Sequence, residues 1–122
     1  MPAVPVSSAF VDAISARDFD RVRGLLSHAI DFRAMTPSRI WESDGPDEVI
    51  SVLRQWLADP DEQIDSVEPT EPAQVQDTAR VGWRVRGRNA DGPMVYEQQA
   101  YVREQDGKVA WLRVICSGPR PL

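Results

Sequence analysis

A chain of 122 residues with 19 acidic and 14 basic side chains carries a net charge of −5 and fits one domain, 1–122, able to bury its own core. That balance argues against nucleic-acid backbones and anionic bilayers as partners, since both need a positive surface. The lone Cys116 excludes an internal disulfide, and the lone His28 excludes a multi-histidine metal site. No apolar run is long enough to span a bilayer. Residues 1–6 lack a signal peptide's basic and apolar regions and read as a flexible lead-in, so a cytoplasmic location is expected.

Phe10, Val11 and Ile14 fall at helical spacing over Ser8–Ala16, with Ser7 or Ser8 as the expected N-cap. A second short helix is expected from Asp20 to Ser27, carrying Val22, Leu25 and Leu26, with Asp18 or Asp20 able to accept from first-turn amides. His28 would sit at its C-terminus. Ala29–Ala34 alternates as a strand does, and Thr36-Pro37 ends it, because proline removes a ladder donor. Gly45-Pro46-Asp47-Glu48 opens a third helix, with proline at its first position and acids in its first turn. Val49, Ile50, Leu53, Trp56 and Leu57 form its apolar stripe, and Asp59-Pro60 stops it.

Alternating segments then run from Gln63 to Val67, Val75 to Arg88, Met94 to Glu104 and Lys108 to Ser117. Asp91-Gly92 and Asp106-Gly107 are hairpin signals between them. Helices gathered ahead of strands give an α+β layout, with helices on one face of a curved sheet. The acids Asp59, Asp61, Glu62, Asp65, Glu68 and Glu71 lack the spacing and glycine of a calcium loop and read as a solvated segment. Arg80, Arg84, Arg86 and Arg88, interleaved with Trp83, read as the outer face of a strand. An RNA-stacking strip is the alternative.

Four motifs carry a resemblance. They are Phe10-Val11-Asp12-Ala13-Ile14-Ser15-Ala16-Arg17-Asp18-Phe19-Asp20, Leu25-Leu26 ahead of Ala29-Ile30-Asp31-Phe32, Gly45-Pro46-Asp47-Glu48-Val49-Ile50, and Asp106-Gly107-Lys108-Val109-Ala110-Trp111-Leu112-Arg113. In this order the chain resembles the nuclear-transport-factor-2-like superfamily, which holds the SnoaL-like polyketide cyclases and the ketosteroid isomerases. The resemblance implies a cystatin-like cone: N-terminal helices packed on a curved, mostly antiparallel sheet that encloses a cavity. It also implies a homodimer through the outer sheet face, with Trp111 and Ile115 as contact candidates.

Ketosteroid isomerases place a tyrosine, an aspartate base and a protonated aspartate where this chain has Phe10, Ala34 and Gln99. Neither Phe10 nor Ala34 can take the role, so that mechanism is not expected here. The resemblance turns Ile30, Phe32 and Ala34 of the first strand inward, with Leu112, Val114 and Cys116 of the last. It also turns Val95, Glu97, Gln99 and Tyr101 inward, although the opposite set, Tyr96, Gln98, Ala100 and Val102, alternates equally well. An inward Glu97 would be a general base with a raised pKa, assisted by Tyr101; an outward Glu97 would be a solvated partner for an arginine. Cys116 reads as lining rather than nucleophile, since no histidine is placed to activate it.

Trp41 is placed by the resemblance at the cavity mouth, where it covers a ligand or simply packs. The expected ligand-binding set is therefore Phe10, Phe32, Ala34, Trp41, Gln99, Leu112, Val114 and Cys116, with no metal and no cofactor. Two functions follow from it. One is a domain binding a small hydrophobic molecule, and the other is a non-metal cyclase, isomerase, hydrolase or dehydratase using acid–base groups in the cone.

Overall fold

The computed structural model describes residues 5–122. Three helices precede or interrupt an eight-stranded sheet: α1 Val6–Ser15, α2 Phe19–Leu25, β1 Leu26–Thr36, β2 Arg39–Asp44, α3 Pro46–Leu57, β3 Gln63–Pro69, β4 Ala73–Val75, β5 Thr78–Asn89, β6 Gly92–Gln105, β7 Lys108–Cys116 and β8 Arg120–Pro121. The main path of the sheet runs β2-β1-β7-β6-β5-β3, with β4 on β5 and β8 on β6. Every pairing is antiparallel except β1 with β7. This is the expected α+β cone.

Capping departs from expectation at α1. Its N-cap is Pro5, without a side-chain hydrogen bond, and neither Ser7 nor Ser8 caps it. Val6, the last residue of the expected flexible segment, belongs to the helix and is buried, and residues 1–4 lie outside the described residues. Proline can stand there because the first helical amides have no intrahelical acceptors to lose. Helix α2 ends at Leu25, so Ser27 and His28 lie on β1. Asp18 does cap it, accepting from the Arg21 amide at 3.1 Å. Helix α3 has Pro46 at its start and Asp47 and Glu48 in its first turn, as the helix dipole favours.

Two turns supply strands that alternation alone did not separate. Gln76 adopts φ 52° and folds β4 back on β5. Pro37-Ser38 reverses the chain so that β2 pairs with β1, bringing Trp41 opposite Ala34. The β5–β6 turn falls on Ala90-Asp91, where Asn89 Oδ1 accepts from the Asp91 amide at 2.9 Å. Gly92 then takes φ 107° as the first residue of β6.

One face of the sheet and the three helices share the core. Phe10 of α1 stacks edge-on against Trp83 of β5 at 6.2 Å, and Val49, Leu53 and Leu57 of α3 are fully buried. Ile30, Phe32 and Ala34 of β1 meet Leu112 and Val114 of β7 on that face. The same alternation places Asp31, Arg33 and Met35, with Trp111, Arg113 and Ile115, on the outer face.

Candidate functional site

Strand β6 decides the chemistry of the interior. Its buried residues are Met94, Tyr96, Gln98, Ala100 and Val102. The inward placement of Val95, Glu97, Gln99 and Tyr101 is therefore corrected by one residue, which exchanges the two faces. Register explains the choice: Ala100 lies opposite Val114, Val102 opposite Leu112 and Tyr96 opposite Val85, all core residues. The other phase would have drawn the Glu97 carboxylate into that apolar layer, at the cost of its desolvation. Glu97 instead meets Arg84 across the outer face, with Nη2 and Nε donating to one carboxylate oxygen at 2.6 and 2.9 Å. Tyr101 and Gln99 share that outer face, so the Glu97–Tyr101 acid–base pair is withdrawn.

What replaces them is Gln98. This side chain is 1% exposed, and its Oε1 accepts from the Trp83 indole N–H at 2.7 Å. A buried amide is tolerable only when hydrogen-bonded, and the indole satisfies its oxygen. The Nε2 hydrogens remain available to the cavity that Gln98 lines. Trp83, expected on the sheet surface, is fully buried. The arginines around it therefore have no exposed ring beside them on β5 itself.

The cavity measures about 170 Å³ and is lined by Thr36 at the end of β1 and Pro37 after it, Trp41 of β2, Gln55 and Trp56 of α3, Glu62 ahead of β3, Tyr96 and Gln98 of β6, Cys116 of β7 and Pro119. That is room for a ligand smaller than a drug. Trp41 and Trp56 meet at 90° with centroids 5.8 Å apart. The Trp41 indole donates to Thr36 Oγ1 at 2.9 Å, which fixes the ring against the β1–β2 turn. Tyr96 Oη donates to the Trp56 carbonyl at 2.8 Å, tying β6 to the end of α3. The Trp56 indole N–H is buried without an acceptor, a costly state for a donor.

Charge at this site is negative. Burial, with the nearby Asp59 and Asp61 carboxylates, holds the Glu62 carboxyl above the usual glutamate range. Burial likewise pushes the Tyr96 phenol well above its ordinary value, helped by Glu62 and Asp59. Glu62 thus belongs to the cavity wall rather than to a wholly solvated acidic run. Of the expected ligand-binding set, Trp41 and Cys116 line the cavity. Phe10, Phe32, Ala34, Leu112 and Val114 are packed into the core, and Gln99 lies on the outer face. Trp56, expected in the core, lines the cavity instead, together with Thr36, Pro37, Gln55 and Pro119, which nothing in the sequence pattern marks as site residues. Among the described residues, no group of three or more histidine, cysteine, aspartate or glutamate side chains is arranged to hold a metal ion.

A family model described as a SnoaL-like domain matches residues 8–112. The chain belongs to this SnoaL-like family. Solved structures agree on the architecture of the SnoaL-like domain. A nuclear transport factor 2-like protein of unknown function from Cytophaga hutchinsonii aligns at TM-score 0.68 and 13% identity, covering 91% of this chain and 96% of its own. An epoxide hydrolase from Mycobacterium tuberculosis aligns at 0.65 and 13%, covering 92% and 80%. A protein of ketosteroid-isomerase-like fold from Catenulispora acidiphila, solved in complex with trimethylamine, aligns at 0.66 and 10%, covering 93% and 85%. Identities this low establish the shared fold and leave chemistry to the site. No curated protein gives a significant match.

Proposed function

We propose that this SnoaL-like domain binds a small, largely apolar molecule in the cavity between Trp41, Trp56, Tyr96 and Gln98. The observation that carries the reading is the Gln98 amide, its oxygen held by the Trp83 indole, set among the aromatic side chains Trp41, Trp56 and Tyr96 that line the cavity. An apolar hollow with a few placed polar groups is the usual form of a ligand site. Intrinsic fluorescence provides the test, because Trp41 and Trp56 both touch the cavity. Titration with a fragment set is expected to change the emission, and Trp56→Phe is expected to remove most of the response. A response that survives in Trp56→Phe and Trp41→Phe alike would contradict the assignment.

An enzymatic reading has one specific support. Glu62 is a half-buried carboxyl with a raised pKa beside Tyr96, a carboxyl whose proton affinity is raised in the direction that general acid–base chemistry uses. The activity would be a metal-free isomerisation, cyclisation, hydrolysis or dehydration, with Glu62 as the proton-transferring group. Turnover unchanged in Glu62→Gln would remove that role.

The outer sheet face supports a homodimer. Ile40, Met35 and Ile115 are consecutive cross-strand neighbours on β2, β1 and β7, and they are 70%, 55% and 53% exposed. Light scattering at micromolar concentration is expected to give twice the chain mass, and Ile115→Glu the single mass. A monomeric wild type would refute this assembly.

A further inference from the structure

We infer that the cavity selects a small organic cation, an alkylammonium group carrying a neighbouring oxygen, over a neutral molecule of the same shape. The inference rests on the cavity being a ligand site and adds the ligand's charge. Three features on separate elements converge. Trp41 of β2 and Trp56 of α3 stand at 90° to each other, and Tyr96 of β6 adds a third aromatic wall. Aromatic faces carry negative quadrupolar charge, so three aromatic residues around one cavity favour a cation over a neutral group.

The second feature is the carboxylate. Glu62 is the one charged side chain lining the cavity among the described residues, with Asp59 and Asp61 behind it. Two arginines lie on nearby rings: Arg39 over Trp41 with its guanidinium carbon 3.6 Å from the ring centre, and Arg54 over Phe19 at 4.8 Å. Neither lines the cavity. Arg39 shows that the Trp41 ring already accepts a cation on its surface. It also opposes a second one, so Trp56, Tyr96 and Glu62 supply the main attraction.

The third feature sets the rest of the ligand. Gln98 lines the cavity and its oxygen is taken by the Trp83 indole, which leaves the amide hydrogens as the groups it can offer a ligand. An ammonium alone would leave them unsatisfied, whereas a hydroxyl or carbonyl oxygen next to it would accept from one of them. The cavity of about 170 Å³ limits such a ligand to a compact amino alcohol or its like.

Choline and 3,3-dimethylbutan-1-ol test this directly, since they share shape and hydroxyl and differ in charge. Both are titrated against the full chain at neutral pH, with tryptophan emission and calorimetry as readouts. Choline is expected to bind roughly five- to thirtyfold more tightly, the range of a partly desolvated cation–π contact. Glu62→Gln and Trp56→Leu are each expected to reduce that preference. Equal or tighter binding of the alcohol would overturn charge selection and leave the ligand site standing. A preference unchanged in both variants would overturn it too, by placing the cation elsewhere. If neither probe binds while other fragments do, the inference falls alone; if no fragment binds, the ligand-site reading falls with it.

Discussion

Gln98 and Glu62 show how two polar side chains give an apolar interior its character. Gln98 is buried and its oxygen accepts from the Trp83 indole, so Gln98→Leu would strand the indole N–H in the core. The expected cost is about 1–3 kcal/mol, the penalty of an unpaired buried donor, measured by urea unfolding. Glu62 acts in the opposite sense. Its folded-state pKa lies above the ordinary 4.5, so its protonated form favours the fold. That contribution is whole below pH 4.5 and is lost as pH rises through the raised value. Glu62→Gln keeps a neutral side chain at every pH. Its melting temperature is therefore expected to exceed that of the wild type at pH 7, with the difference closing below pH 4.5. A difference constant with pH would show that the carboxyl is not desolvated.

Elements were legible where local chemistry was strong. Pro46 with Asp47 and Glu48 marks the start of α3, and Asp106-Gly107 marks the last hairpin, where φ values of 54° and 76° confirm the turn. Beta strand 2 was not legible, because Arg39–Asp44 has no clean alternation and owes its form to pairing with β1. The phase of β6 was undecided for a related reason: both of its faces are mixed, and only the facing strands distinguish them. Partners in space, not neighbours in sequence, set which side of β6 became the cavity. Glu62 was missed similarly, since its burial comes from the packing of distant elements around it. A close approach between elements gives a further prediction. A Cβ at Gly87 on β5 would collide with the Gln63 carbonyl on β3. Gly87→Ala is expected to destabilise the domain by about 1–3 kcal/mol, as overpacking does, and an unchanged urea midpoint would contradict that pairing.

At the scale of the whole molecule, the fold separates two surfaces that share strands. The inner face of the sheet is packed solid around Phe10, Phe32, Trp83 and Leu112. The cavity survives only toward the end where the β1–β2 turn, the end of α3 and Pro119 meet. The outer face carries the Ile40–Met35–Ile115 row and, on β7, Trp111 between the Arg103 and Arg113 guanidiniums at 4.1 and 4.4 Å. The tryptophans therefore report on different regions: Trp41 and Trp56 on the cavity, Trp83 on the core, Trp111 on the outer sheet. The most direct test is a two-dimensional nitrogen–proton spectrum of their four indole N–H groups during titration with choline. The Trp56 and Trp41 signals are expected to move together and saturably while the Trp111 signal stays in place. Movement of Trp111 with Trp41 and Trp56 unchanged would contradict a ligand site in the cavity.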